Sequence, residues 1–337
     1  MKRSHLWMLV AGAALAGSAG SAEAQTTLIF DRWLPPAHPL VVGVMEPFKA
    51  DVERVTEGRV EIQISDAPLA PSDGQWDAVE DGISDVAIQS LGWHRGRINL
   101  PTIVNLPFMV PSAEAASGAL WETFAEHFEA ANEFEGMKVL GFVSHSGNQV
   151  ANGTHPISGA ADFEGLRLRA SAGEPTQILE ILGAEPVTVP GPQIFETVSA
   201  GIVDGILDGM HAPSAFGIIR YVDYVTEIPG SMGGLAFAVF MNEQKWNELS
   251  ADDQEAIMSV AGKQLSQRGG REFDDFTAKS LAEMESEGAE ILPASPEFMA
   301  ELEEHLQPVI DEWMKGAAER DVDGQAAIEF YRSRLAD

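Results

Sequence analysis

Strand and helix patterns alternate regularly along this chain from residue 27 onward. Thr27–Phe30 is a short apolar run typical of a buried strand. Apolar residues then recur at helical spacing from about His38 to Thr56, and Val60, Ile62 and Ile64 alternate as in a second strand. Strands joined through a crossover helix pair in parallel. The pattern therefore predicts an α/β fold with a parallel sheet.

The same alternation continues to residue 90 and indicates where a ligand binds. Ser72 to Ile83 reads as a short helix and Asp85 to Gln89 as a third strand, while Pro47 predicts a kink in the first helix. Ligands of parallel sheets bind at the carboxyl ends of strands. Those ends here are Asp31–Trp33 and Ser90–Trp93.

A second α/β segment begins near Lys138 and is followed by a largely helical region. Ser250 is predicted to start a helix that continues toward Glu287. The other predicted elements are strands at 138–142, 166–169, 186–189 and 235–241, and helices at 175–182, 192–200, 296–314 and 324–335.

One stretch occurs twice in similar form. Val79–Val86 and Val198–Gly205 both contain a helix end, a glycine turn and an aspartate that opens the next strand. Coincidence between two common turns is the alternative. The repetition favours two similar α/β lobes, and two lobes with a cleft between them describe a hinged binding protein.

The N-terminal residues have the pattern of a secretory signal peptide. Lys2 and Arg3 precede an apolar run, Leu6 to Ala16, and Ala22–Ala24 gives an A-x-A cleavage pattern. The run is too short for a membrane anchor, which needs about 20 residues. We expect cleavage after Ala24, a periplasmic location and no membrane insertion.

Composition excludes some partners. The formal net charge of −31 repels nucleic acid and anionic membranes, and an acid-binding site needs local positive charge against this field. The chain has no cysteine, so no disulfide supports an exported fold.

Arg169 is the first candidate for binding a ligand. It ends the alternating strand at 166–169, where its side chain can point into a cleft between lobes. A guanidinium grips a carboxylate through two parallel hydrogen bonds. The alternative is a surface arginine, which we expect Arg167 to be.

Aromatic and acidic side chains near strand ends are further candidates. Tryptophans there can stack on a ligand or cover a cation, although core packing is the commoner role. Asp31 can meet a ligand hydroxyl or ammonium, or can pair with Arg32. The aromatic candidates are Trp33, Trp93, Phe195 and Phe237.

No pattern predicts catalysis or a cofactor. The eight histidines lack zinc-type spacing, and the sequence contains no phosphate-binding loop, dinucleotide fingerprint or nucleophile elbow. We expect a binding protein with no catalytic residues, metal or cofactor.

Several stretches, in order, resemble the solute receptors of tripartite ATP-independent periplasmic (TRAP) transporters of the dicarboxylate-receptor (DctP) type. The resemblance covers Leu28 to about Leu335. The stretches are Thr56–Val60, Gly82–Val86, Leu106–Phe108, Phe163–Arg169, Leu182–Val187 and Gly201–Gly205.

The resemblance implies a bilobal periplasmic-binding-protein fold with a hinge and a long helix that crosses both lobes. It also implies a small organic acid as ligand, held by Arg169, and two membrane subunits, small and large, as partners. We expect residues 25–149 with 238–277 to form lobe I, and residues 150–237 with 278–337 to form lobe II.

Other positions depart from the family pattern. Gln193 and Phe195 stand where a glutamate and a tyrosine are common, and Leu207–Asp208 replaces a Glu-Asn type pair. Near Gln149 a second arginine, common in acid-binding members, is missing. We expect Gln149 and Gln193 to contact the ligand from these positions. The departures favour a ligand with one carboxylate, with Asp31 and Asp208 facing a hydroxyl or amine.

Two alternatives stay open at this point. A periplasmic sensor that presents a bound acid to a signalling kinase would have the same fold and site. A periplasmic hydrolase or isomerase would need an activated nucleophile or an acid–base pair, and the sequence shows neither.

Overall fold

The computed structural model describes residues 25–94 and 96–336, and the predicted signal peptide lies outside the described residues. Within these ranges no helix is both long and apolar enough to cross a bilayer. The strands are β1 Thr26–Phe30, β2 Val60–Ile64, β3 Val86–Ser90, β4 Met137–Ser144, β5 Asn148–Asn152, β6 Arg167–Ala170, β7 Glu185–Thr188, β8 Gly205–Gly209, β9 Tyr224–Glu227, β10 Ala236–Asn242 and β11 Glu290–Pro293. The α-helices are α1 Glu46–Val55, α2 Gln75–Glu80, α3 Ala113–Thr123, α4 Glu174–Ile181, α5 Ile194–Ser199, α6 Ala212–Ala215, α7 Glu243–Asn247, α8 Ala251–Val260, α9 Gly262–Ser286, α10 Pro296–Ala318 and α11 Gly324–Arg334.

The first sheet has the strand order β2-β1-β3-β10-β4. β1 is parallel to both β2 and β3, and β10 is antiparallel to β3 and β4. All five residues of β3 are buried, as expected for a central strand covered on both faces. The carboxyl ends of β1, β3 and β4 therefore lie at one edge of this sheet.

The second sheet has the order β11-β9-β5-β8-β6-β7. β6 is parallel to β7 and β8, and β5 is antiparallel to β8 and β9. The carboxyl ends of β6, β7 and β8 lie together. The predicted α/β fold with two lobes is confirmed, and each lobe contains one sheet.

The chain crosses between the sheets from β4 to β5 and returns from β9 to β10. Helix α9 contacts both lobes. In the first lobe, Asp274 accepts hydrogen bonds from the backbone N–H groups of Ala113 and Glu114 at 2.8 and 2.9 Å. In the second lobe, Glu283 accepts one from Ser214 at 3.0 Å. The expected long helix across both lobes is therefore present, while the residue boundaries of the lobes stay a prediction.

The repeated glycine turn has the same structural role in both lobes. Gly82 and Gly201 adopt positive φ values of 71° and 67°, which favour glycine. Asp85 then accepts a hydrogen bond from the backbone of β1 at 2.7 Å, and Asp204 accepts one from the backbone of β6 at 2.9 Å. Each aspartate ties the start of a strand to its neighbour, so the two lobes share this local construction.

One helix prediction needs correction. The helix predicted from Ser250 toward Glu287 is interrupted between α8 and α9, where Gly262 has φ of 60° and a Cβ would lie 2.9 Å from the ring of Trp121. Pro47 does lie inside the first helix, as predicted, because helical backbone runs from residue 39 to 55. A π-helical segment, Val41–Met45, directly precedes this proline and is the local irregularity of the helix.

Candidate ligand-binding site

A cavity lies between the two sheets, at the edge where the strands of both lobes end. Most of its wall consists of residues at or just after the carboxyl ends of strands, where ligands bind in α/β sheets. Residues on the first sheet or on segments next to it are Trp33, Leu34, His38, Ser72, Ser90, Trp93, His145, Leu235 and Phe237. Residues on the second sheet or on segments next to it are Arg169, Ser171, Pro190, Gly191, Asp208, His211 and Phe216.

Arg169 enters the cavity from β6 and is 2% exposed. Its Nε and Nη2 donate to the carbonyl oxygen of Val189 at 3.0 and 2.7 Å, and its Nη1 donates to Oδ2 of Asp208. Alternation along the strand turns Arg167 away, and its half-exposed side chain pairs with Asp204 at 2.5 Å. Arg169 is therefore the residue of this strand that faces the cavity.

Asp208 balances the charge of Arg169. It lies in β8, is 6% exposed, and its Oδ1 accepts the backbone N–H of Gly209 at 2.7 Å. Burial lowers the pKa of Arg169 and the carboxylate of Asp208 opposes this effect. An arginine stays charged in proteins, so the two side chains form a buried pair with no net charge.

Three buried histidines surround this pair. The ring centroids of His38 and His145 lie 5.8 and 5.6 Å from that of His211. Burial lowers the pKa of His38 to about 3, that of His145 below its ordinary value, and that of His211 well below 6.5. All three rings are therefore neutral at pH 7, and the ionised groups of the cavity wall sum to zero.

Hydrogen bonds fix the tautomers of two of these rings. Nδ1 of His38 accepts the backbone N–H of Leu40 at 3.2 Å, and Nδ1 of His145 accepts that of Gly147 at 3.0 Å. An accepting nitrogen of a neutral ring has no proton, so both rings are Nε2–H donors. Nε2 of His145 lies 3.7 Å from Oδ1 of Asp208, too far for a hydrogen bond.

Aromatic side chains form the apolar part of the cavity. Trp33 donates its indole N–H to the carbonyl oxygen of Ile88 at 2.8 Å, which fixes its ring. Phe237 stacks on Phe273 of α9 with centroids 6.3 Å apart. Trp93 and Phe216 complete the apolar wall. Flat rings held in this way suit a flat apolar ligand body.

The structure brings five of the nine predicted site residues together around the cavity. These are Arg169, Trp33, Trp93, Asp208 and Phe237.

Asp31 does not line the cavity. Its Oδ1 accepts from Ser65 and the backbone of Leu69, and its Oδ2 accepts from the backbone of Ala70 and from Gln75. Both oxygens therefore hold the segment between β2 and α2 in place. The expected alternative of an Asp31–Arg32 pair is also absent from the described contacts, since Arg32 donates to backbone carbonyls.

Three other predicted residues also lie outside the cavity. Gln149 exchanges two hydrogen bonds with the backbone of Ile228, at 3.1 and 2.6 Å. Gln193 is exposed at the start of α5, and Phe195 on the same helix is 44% exposed. The family pattern predicted that these three residues contact the ligand, but their side chains do not line the cavity.

The histidines are the part of the site that sequence reasoning missed. They are far apart in the chain and lack metal-ligand spacing, and among residues 25–94 and 96–336 no group of three His, Asp or Glu side chains is arranged to hold a metal ion. A weak signal was present, because His145 directly follows β4 and His211 follows β8 by two residues. Both positions are strand carboxyl ends, where the cleft was expected.

Comparison with known proteins agrees with this architecture. Residues 30–316 match the family model of bacterial extracellular solute-binding protein, family 7 (DctP). A relative from Comamonas testosteroni, named outer membrane transporter protein TsaT, is 32% identical over 312 residues, which are 92% of each chain.

Solved structures with bound ligands are also similar. A TRAP periplasmic solute-binding protein from Bordetella bronchiseptica with bound (R)- and (S)-mandelate has a TM-score of 0.89 and 27% identity, covering 92% of this chain and 99% of the other. One from Rhodoferax ferrireducens with copurified benzoate has a TM-score of 0.85 and 25% identity, covering 93% and 98%.

The family match spans most of the chain, and the resemblance seen in the sequence is confirmed. The family and these neighbours are transport solute-binding proteins and not enzymes, as the sequence predicted. The chain belongs to family 7 of the bacterial extracellular solute-binding proteins, the extracytoplasmic solute receptors of TRAP transporters.

Proposed function

We propose that the chain captures an aromatic monocarboxylate in the cavity between its lobes, in the periplasm, and delivers it to the small and large membrane subunits of a TRAP transporter. Arg169 carries this proposal. A guanidinium has five N–H protons, and Val189 and Asp208 take three of them. The remaining two belong to Nη1 and Nη2 and are available to a carboxylate.

The cavity wall supports a ligand with one carboxylate and an apolar body. Among the described lining residues Arg169 is the one permanent cation, while four aromatic side chains, Trp33, Trp93, Phe216 and Phe237, form much of the wall. The mandelate and benzoate bound by the structural neighbours have this composition. The five predicted residues that line the cavity are the proposed ligand contacts. Asp31, Gln149, Gln193 and Phe195 are not among them.

A thermal-shift screen of residues 25–337 tests the ligand class. The panel contains benzoate, 3-hydroxybenzoate, (R)-mandelate, succinate, malate, galacturonate and ectoine. A ligand that binds the native state alone raises the melting temperature. We expect the aromatic monocarboxylates to give the largest shifts. Tighter binding of succinate or malate would contradict the assignment, and no shift with any carboxylate would remove the acid-binding role.

Variants of the two arginines on β6 test the role of Arg169. We expect Arg169→Ala to weaken binding at least about a hundredfold, because it removes a buried charge-assisted contact. Arg169→Lys keeps the charge next to Asp208 but loses the planar fork, and serves where the alanine variant folds poorly. Arg167→Lys is the matched control, since that side chain points away from the cavity. Equal affinity of all variants would remove Arg169 from the site.

A further inference from the structure

The charge balance of the cavity has a consequence for any acid that enters it, and this inference rests on the proposed function. Arg169 and Asp208 cancel each other, and the three histidines are neutral. A carboxylate therefore brings one negative charge into a buried site that has no unpaired positive charge to balance it. An uncompensated charge in a buried site is strongly unfavourable. A proton from solution removes most of this penalty.

The three histidines differ in their ability to accept such a proton. A second proton on His38 or His145 would have to go to Nδ1, which already accepts the backbone N–H of Leu40 or Gly147. Protonation there would leave a buried backbone N–H without a partner, which is unfavourable.

His211 has no such constraint. It is 4% exposed, lines the cavity, and its Nδ1 has no hydrogen-bond partner among the described residues. His38, His145 and Arg169 are the titratable or charged groups whose electrostatic effect reaches its ring, and Phe273 of α9 packs edge-on against it with centroids 4.7 Å apart. Each of these neighbours disfavours or fails to support a positive ring, so an added anion is what would stabilise one.

We propose that the protein takes up one proton from solution when a carboxylate binds in this cavity, and that His211 holds this proton beside the bound anion. The ligand then sits against two cationic groups, Arg169 and the His211 imidazolium, with Asp208 as the second anion. Binding strengthens as the pH falls, since the bound state has one more proton than the free state.

Calorimetry counts the proton directly. Benzoate and (R)-mandelate are titrated into the protein at one pH in buffers that differ in ionisation enthalpy, at equal ionic strength. A plot of the observed binding enthalpy against the ionisation enthalpy of the buffer should be linear. We expect a slope of about one, which is the number of protons taken up for each ligand bound. We also expect Kd to rise by up to about tenfold per pH unit above neutrality. Binding with no buffer dependence overturns this inference and leaves the proposed function intact, whereas no binding of either acid overturns both.

Two variants locate the proton, with circular dichroism as the check on folding. His211→Gln is expected to bind at least tenfold more weakly at pH 7, with no proton uptake and a flat pH profile. His38→Gln is the matched control and retains the uptake of about one proton. Uptake that persists in His211→Gln would place the proton on another group and overturn the assignment.

Asp208→Asn gives an independent test where His211→Gln folds poorly. This variant leaves the charge of Arg169 unpaired, so the ligand carboxylate replaces the missing carboxylate. We expect proton uptake to disappear and Kd to become independent of pH. Proton uptake that is unchanged in Asp208→Asn would show that the charge balance of the cavity does not drive it.

Discussion

Replacing Gly92 with alanine is expected to keep the two lobes from meeting over a ligand. Gly92 follows β3 of the first lobe and faces the segment that follows β6 of the second. A Cβ at Gly92 would lie 3.1 Å from the carbonyl carbon of Ala172, and closer still to its oxygen, where an ordinary contact begins at about 3.4 Å. The φ angle of Gly92 lies outside the left-handed region, so alanine suits the local backbone and the conflict arises between lobes.

The size of the effect follows from this overlap. The atoms opposite Gly92 belong to the backbone of Ala172 and Gly173, which cannot rotate away as a side chain would. Forcing an extra methyl group into a closely packed region costs about 1–3 kcal/mol. Because this cost applies to the closed form, Kd should rise about 5- to 150-fold.

Calorimetry with benzoate and the ligand-induced thermal shift measure this loss. Gly159→Ala is the control: Gly159 has an extended backbone, with φ of −160°. A Cβ there meets no atom nearer than 3.4 Å, the side chain of Glu301. Gly92→Ala should lose affinity while its melting temperature without ligand stays near that of Gly159→Ala. Wild-type affinity in Gly92→Ala would refute the reasoning that the lobes meet here in the ligand-bound state.

Three further outcomes follow from other contacts. Burial holds the pKa of His38 at about 3 while the unfolded chain titrates near 6.5, so the unfolded state binds more protons on acidification. The free energy of unfolding of the wild type should therefore fall by about 2 kcal/mol more than that of His38→Gln between pH 7 and 5; parallel pH profiles in chemical denaturation would contradict this. Asp31→Asn should lower the free energy of unfolding by about 1–3 kcal/mol, because four donors converge on that carboxylate and an amide can accept at one oxygen only; an unchanged denaturation midpoint would count against it. The association rate of benzoate should rise with added salt, since a net charge of −31 repels an anion until it is screened, and a rate in stopped-flow experiments that falls with salt would mean local attraction dominates.

The sequence was sufficient to locate the cleft because the relevant signals are local. Strand periodicity and the breakers that follow it placed Trp33 and Trp93 at the carboxyl ends of β1 and β3, where the cavity lies. Alternation along β6 likewise distinguished Arg169, which faces the cavity, from Arg167, which faces solvent. Each inference needed only a few neighbouring residues.

The remaining features depend on residues far apart in the chain. The oxygens of Asp31 are occupied by groups 34 to 44 residues away, and no local pattern shows that these groups converge. At the interruption between α8 and α9, Gly262 likewise lies against the ring of Trp121, more than a hundred residues earlier. The pairing of Arg169 with Asp208 is a contact between β6 and β8. Because of this pair the site has no net charge, whereas the sequence led us to expect a positive one.

That neutrality decides how the receptor can discriminate between acids. A chain with a charge of −31 and a cavity with no net charge offers an anion no long-range attraction. Selection must come from short-range contacts: two N–H protons of Arg169, the Nε2–H groups of neutral histidines, and flat aromatic walls. A dicarboxylate would bring a second negative charge, and His38 and His145 each need Nδ1 for a backbone N–H. After His211 has taken one proton, a second could be accepted only by breaking one of these hydrogen bonds. Exclusion of dicarboxylates would then follow from the charge balance of the cavity and not from its shape.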